Sequence, residues 1–300
     1  MEQYLDINSI SALHEIYGAG KPLHPLISVL DFATLDRARE KNGRAFRMGL
    51  YSIACKKVEG TMRYGRSTYD FTEGTLVFIA PNQILAPDPD MKILEGWIIH
   101  IHPDFLNSTE RGRKLTDQSF FGYDTHEALH VSDGEKNILG ECVKNIRREI
   151  SQNLDTHSHE LILSNLELLF AYCVRFYERQ FLTRTRVSND TLQKFERLLN
   201  DYFAQESLIE ARIPDVKYFA SRLNLSPNYL SDLLNKYTGK TTSEHIHLKL
   251  TDKAKALLWS TSKSVSQIAY DLGFEHPSHF TKLFKSRTGV TPSEFRSQSA

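Results

Sequence analysis

The chain has little of what marks a specialised protein class. It holds three cysteines and two tryptophans in 300 residues. Cys55, Cys142 and Cys173 lie far apart, without metal-ligand spacing or a sequence neighbour to pair with. Isolated cysteines in apolar patterns read as small buried hydrophobes. No apolar run approaches the roughly 20 residues a membrane-spanning helix needs, and Met1-Glu2-Gln3 begins no signal peptide, so a cytoplasmic protein away from membranes is expected. Nucleophile elbow, phosphate loop and paired-carboxylate motif are all missing. We therefore expect no enzyme, no catalytic residue, no metal and no cofactor. Net charge is missing as well, with 37 basic residues against 37 acidic ones.

What is present is ordinary globular composition, 40% hydrophobic and 25% charged, in a chain long enough for two domains with cores of their own. The zero charge hides an asymmetry. Residues 183–300 carry 17 Lys/Arg against 12 Asp/Glu, or +5, which leaves −5 for residues 1–182. A basic second half suits phosphate binding.

Within that half, one pattern is written twice. Val216, Phe219, Ala220, Leu223 and Leu225 pair with Val265, Ile268, Ala269, Leu272 and Phe274 at an offset of 49. After a one-residue insertion, Leu230, Leu233, Leu234 and Gly239 pair with Phe280, Leu283, Phe284 and Gly289 at an offset of 50. Such self-similarity means one supersecondary unit built twice. The spacing i, i+3, i+4, i+7 predicts a helix from Val216. A polar turn follows, then Pro227 at a first helical position and Gly239 at a helix end. Two short helices around a tight turn make a helix-turn-helix. Between the copies, Thr241-Thr242-Ser243-Glu244 is a capping box that opens a third helix through Ile246, Leu250, Ala254, Leu257 and Leu258. Thr291-Pro292-Ser293-Glu294 repeats that capped start. A rod of about 17 residues would be ~25 Å long, and successive major-groove faces lie about 34 Å apart.

In these residues the chain resembles the AraC/XylS family of transcription regulators. The second copy carries the likeness most clearly, at Ile268-Ala269, Gly273-Phe274, His279-Phe280, Phe284-Lys285, Gly289, Thr291-Pro292 and Phe295-Arg296. The likeness covers about the last hundred residues. It implies a double helix-turn-helix DNA-binding domain at 191–300 and, ahead of it, a cupin-like sensing or dimerising domain.

The front half is consistent with that. Short apolar runs at 26–30, 46–58, 75–80 and 97–101, separated by turn residues, predict an antiparallel β-sandwich or barrel within 1–131, with residues 1–20 as an irregular lead-in. From Ser132 the pattern is helical. Ser132 and Glu135 form a capping box, followed by Ile138, Cys142, Ile146 and Ile150. Asp155 or Thr156 caps a second helix that is apolar nearly all round, with Leu161, Leu163 and Leu168 outside its main stripe, so it is buried on several sides. This pair, 132–182, is the expected homodimer element. The polar stretch 183–190 reads as the linker to 191–300, an α+β chain in all. His100 and His102 form an H-x-H pair, but no cupin-like Glu follows it; His126/His130 and His157/His159 are equally isolated. A cupin metalloenzyme with a DNA-tethering tail is the alternative. Arg63, Tyr64, Tyr69, Phe71 and Trp97 are the residues to inspect for a small-molecule effector.

A helix in a major groove reads base edges from its N-terminal half. That rule selects Asn228, Ser231 and Asp232 in the first copy, and Ser278, His279 and Lys282 in the second. Lys236, Lys285, Arg287 and Arg296 suit phosphates. The expected function is a sequence-specific regulator, an activator, on double-stranded DNA with RNA polymerase as partner.

Overall fold

Apolar runs broken by glycine and proline build the first half as β-structure. The computed structural model describes residues 5–35, 45–59, 62–64, 67–69, 74–85, 92–124, 127–183, 185–204, 208 and 212–297, without the side chains of 58–59, 62–64, 67–69, 92 and 185–189. The strands are β1 (Leu5–Ile7), β2 (Ile27–Asp31), β3 (Phe46–Met48), β4 (Tyr51–Glu59), β5 (Met62–Tyr64), β6 (Ser67–Tyr69), β7 (Thr75–Ile79), β8 (Gln83–Leu85), β9 (Lys92–Ile101) and β10 (Leu129–His130). β4 is the centre of an antiparallel five-stranded sheet in the order β10-β7-β4-β9-β2. A second sheet, β1-β3-β8, has a parallel β1–β3 pair, and β5 with β6 forms a hairpin.

Two expectations change here. The lead-in is ordered from Leu5: β1 is followed by helix α1 (Ile10–Tyr17), capped by Ser9 and closed by Gly18 in the left-handed region. Ile10, Leu13 and Tyr17 are buried with Met48, Leu50 and Ile98. The single strand expected over 46–58 is two strands in different sheets. It breaks at Gly49, whose N–H donates to Ile7 O at 2.8 Å. A Cβ there would stand 3.1 Å from that same oxygen, so β1 docks where only glycine fits.

The central sheet explains the histidines. His100 is fully buried, facing Ser28 on β2 and Ser52 on β4 in register. Its Nδ1 lies 2.8 Å from Ser52 Oγ, and burial pushes its pKa down to about 3. His102 falls beyond β9 and caps helix α2 (Pro103–Asn107), its Nδ1 accepting from Asp104 N at 3.2 Å. The two imidazoles therefore serve separate local bonds. His159 Nε2 sits 3.1 Å from both Ser108 Oγ and Phe105 O; His126 lies outside the described residues. Among the described residues, no three His, Cys, Asp or Glu are grouped to hold a metal.

After helix α3 (Glu110–Thr116) comes the helical pair α4 (Asp133–Ser151) and α5 (Ser158–Thr183). The Ser132–Glu135 capping box forms, and Arg179 of α5 donates to Glu135 Oε1 at 2.7 Å and to His130 O at 2.7 Å. The buried stripe of α4 is Leu139, Cys142, Val143, Ile146 and Ile150. Ile138, expected inside, is 39% exposed, one helical position off the stripe. Asp155 caps α5 by accepting from His157 N and Ser158 N. Leu163 is buried as expected, whereas Leu161 and Leu168 are 50% and 48% exposed. All three cysteines are buried and unpaired.

The chain separates into compact units at Met1–Thr183 and Arg184–Ala300. The stretch expected as a linker is helical from Thr185, the start of α6 (Thr185–Phe203). Then follow α7 (Val216–Leu223), α8 (Pro227–Thr238), α9 (Thr242–Ser260), α10 (Val265–Asp271), α11 (Pro277–Thr288) and α12 (Pro292–Ser297). The stripe of α9 (Ile246, Leu250, Ala254, Leu258) packs into one core with Phe195 and Leu199 of α6, Leu230 and Leu234 of α8, and the buried residues of α7, α10 and α11. Among the described residues, no helix is long and apolar enough to cross a membrane.

Candidate nucleic-acid interface

The two helix pairs of the second unit share their turns and helix ends, although α8 is capped by the Ser226 side chain and α11 has no side-chain cap at His276. Asp215 caps α7 through Tyr218 N at 2.8 Å, and Ser264 caps α10 in a box with Gln267. Each pair turns through a residue with positive φ, Asn224 at 54° and Gly273 at 83°. The same bond closes each turn, Leu225 N to Ala220 O at 2.9 Å and Phe274 N to Ala269 O at 3.0 Å. Both second helices are 12 residues long, open on proline and end on a left-handed glycine, Gly239 or Gly289.

Burial sets how each helix is rotated. Leu230 and Leu234 of α8, and Phe280 and Phe284 of α11, are at most 1% exposed. Taking such a side chain out of water is worth ~1.5–3 kcal/mol, so these anchors fix which side chains face outward. Asn228, Asn235 and Lys236 stand exposed on α8, and Ser278, His279, Lys282, Lys285 and Arg287 on α11. Arg287 reaches back to α9, its Nη2 lying 3.4 Å from His247 Nδ1. Burial, then Arg287 itself, lowers the pKa of His247, favouring the neutral ring beside the guanidinium.

Three of the residues singled out from sequence sit differently. Ser231 is half-buried and donates its hydroxyl to Thr242 Oγ1 at 3.1 Å, which ties α8 to the first turn of α9. Asp232 is half-buried on the same helix. Arg296 is the clearest correction: its Nε donates to Leu258 O at 3.2 Å near the end of α9, and its Nη2 is buried. Cations suit the carbonyl end of a helix, so Arg296 is held there rather than offered to phosphate. Sequence reading missed the base of α7. There Arg222 lies 4.6 Å over the Tyr218 ring, an i, i+4 pair that the sequence does carry.

Rigid support lies behind this surface. α9 has 19 residues, ~28 Å of rod. Its start is closed by the Thr241–Glu244 box, whose hydrogen bonds hold the Glu244 carboxyl below its ordinary pKa. Lys253 Nζ donates to Phe203 O at 3.0 Å, and Tyr202 OH to Arg212 O at 3.0 Å. In the first unit, Trp97 lines an open groove of about 970 Å³ between β4, β9 and α4, with Lys56, Lys136, Lys144 and Arg147 among its walls. The side chains of Arg63, Tyr64 and Tyr69, and residue Phe71, lie outside the described residues.

Residues 219–298 match a family model described as a helix-turn-helix domain. Over 135 residues the chain is 30% identical to the HTH-type transcriptional activator RhaS of Salmonella paratyphi B, covering 45% of this chain and 46% of that protein. The chain thus spans about half the length of the curated relatives it matches. Among solved structures, it aligns with the C-terminal domain of the response regulator yesN from Fusobacterium nucleatum at 29% identity and TM-score 0.30, over 34% of this chain and 96% of that one. It also aligns with a transcriptional regulator having an AraC-type DNA-binding domain from Chromobacterium violaceum, at 27% identity and TM-score 0.31, over 38% and 96%.

Proposed function

Through its C-terminal domain the chain belongs to the AraC/XylS family, and from that premise we propose that it is a sequence-specific DNA-binding transcription regulator acting as an activator. Its two helix pairs are two helix-turn-helix readers, with α8 and α11 entering neighbouring major grooves and α9 spacing them. The observation that carries this reading is the outward face of α11. Ser278, His279, Lys282 and Lys285 are all exposed there, while Phe280 and Phe284 lock the opposite face into the core.

Asn228, Asp232, Ser278, His279 and Lys282 are the base-edge candidates. Asparagine is suited to adenine, lysine to guanine, and a carboxylate to the cytosine amino group. Ser231 positions α8 instead. Lys236, Lys285 and Arg287 take phosphates. The first unit, cupin-like in this reading, pairs two copies through the exposed leucines of α5 and modulates how the readers are presented. RNA polymerase is the downstream partner, and the cytoplasm the site of action.

The test is direct. The fragment 184–300 should bind duplex DNA, with affinity falling as salt rises, and without the regulation shown by the full chain. A fragment that folds but shows no salt-dependent binding to any duplex sinks the reading.

A further inference from the structure

The repeat gives a position-by-position comparison of the two reading helices. α8 and α11 share length, proline start, glycine end and anchor positions, so residues 50 apart occupy equivalent places on equivalent surfaces. Ser231 and its counterpart Thr281 are both half-buried with their hydroxyls turned to internal acceptors, Thr242 Oγ1 and Pro277 O. The outer positions do not match. Asp232 stands opposite Lys282, Asn235 opposite Lys285, and Tyr237 opposite Arg287; only Lys236, opposite Ser286, runs the other way. α8 therefore has no net charge, from Asp232 and Lys236, whereas α11 has +3 from Lys282, Lys285 and Arg287.

The preceding helices reverse the bias. α7 carries Lys217 and Arg222, while α10 carries only Asp271, itself paired with Lys263 at 2.7 Å. Each pair has a basic helix, but it is the first helix in one and the second in the other. In a helix-turn-helix the first helix crosses the phosphate backbone and the second enters the groove. Cations aimed at phosphate give attraction regardless of sequence, while neutral amides on base edges give discrimination with little attraction.

We propose that the two readers divide the work: α11 grips DNA of any sequence through its phosphate-contacting Lys285 and Arg287, and α8 selects sequence through Asn228 and Asn235, with Asp232 weakening attachment to unselected DNA. This rests on the DNA-binding reading above and assigns each half of that site a separate role.

The probes are a 40-base-pair duplex enriched from a random library by the full chain, and the unselected library itself. Affinity of the full chain for each is measured from 50 to 300 mM salt. Lys285→Ala and Arg287→Ala should each weaken both DNAs alike, about three- to tenfold, and lower the slope of log affinity against log salt by about 0.9. Asn228→Ala should weaken the enriched duplex about tenfold, leaving the library within twofold and the slope unchanged. Asp232→Asn should tighten the library about threefold and narrow the gap between the two DNAs. Thermal melts confirm that each variant is folded. Lys285→Ala or Arg287→Ala losing only the enriched duplex overturns the division, as does Asn228→Ala weakening both DNAs, or Asp232→Asn leaving the library unchanged. A parent chain that enriches no duplex and binds the library without salt dependence overturns the DNA reading as well.

Discussion

Gly273 and Asn224 occupy the same point of the repeat, yet only one of them tolerates replacement. Both lie at positive φ, where asparagine is accommodated far better than most side chains. At Gly273, however, a Cβ would come within 2.9 Å of Arg212 C and 3.0 Å of Leu208 O, backbone that cannot step aside. Gly273→Ala should therefore cost the second unit ~2 kcal/mol or more in urea unfolding, and Asn224→Gly only a few tenths. His100 gives a prediction in pH. Its ordinary value is 6.5, and burial holds it at about 3 in the fold. Above pH 6.5 neither folded nor unfolded chain binds that proton, and the full stability is present. Below it the unfolded chain takes up a proton the folded one refuses, so stability falls as pH falls, by ~1.4 kcal/mol per unit. From pH 7.5 to 5 the first unit should lose ~2 kcal/mol, followed by Trp97 emission with Trp259 replaced by Phe; His100→Gln should flatten most of that slope. Residue-level legibility was uneven. The caps, the prolines and the terminal glycines were readable because each is a local requirement. Arg296 was not, since nothing near it in sequence announces Leu258 O.

Among the elements, those carrying a strong period came through. α7 to α11 followed from spacing alone, because two equal stripes must bury against something and each supplied half of the other's core. The capping boxes can be ranked by what they start. Thr241 opens the 19-residue α9 at the centre of the second unit, whereas Thr291 opens the six-residue α12. Thr241→Ala should cost ~1 kcal/mol of unfolding free energy, and Thr291→Ala clearly less, by thermal melting. Elements whose boundaries depend on distant partners were misread. The strand at 46–58 is cut by β1 docking at Gly49, forty residues away in sequence. The start of α6 at Thr185 reads as a linker in sequence because Thr-Arg-Thr-Arg-Val-Ser-Asn-Asp is short, polar and without periodicity. Ile138 sits one position from Leu139, and a four-residue spacing fits either choice until the sheet beneath α4 decides.

For the whole molecule, the repeat disclosed the family-bearing half, and composition alone could place only an asymmetry of charge. The front half offered strands without an order, since pairing such as β4 between β7 and β9 is set by contacts far apart in sequence. The dimer proposal stands at this scale. Leu161 and Leu168 are seven apart on α5, hence on one helical face, and both are half exposed. Leu161→Glu with Leu168→Glu should convert a dimer to a monomer in sedimentation equilibrium while the melting temperature of the first unit stays within a few degrees. An unchanged mass would remove this face from consideration.

The native thiols are chemically silent: Cys55 is pushed up to about 12 and Cys173 well above its usual value, both by burial, and Cys142 is buried beside them. A maleimide added to the folded chain therefore meets no exposed native thiolate. One cysteine introduced at exposed Lys240, just past the end of α8, would take a dye or a DNA-cleaving chelate alone, making the position of α8 along a duplex directly mappable without first stripping the protein of its own sulfur.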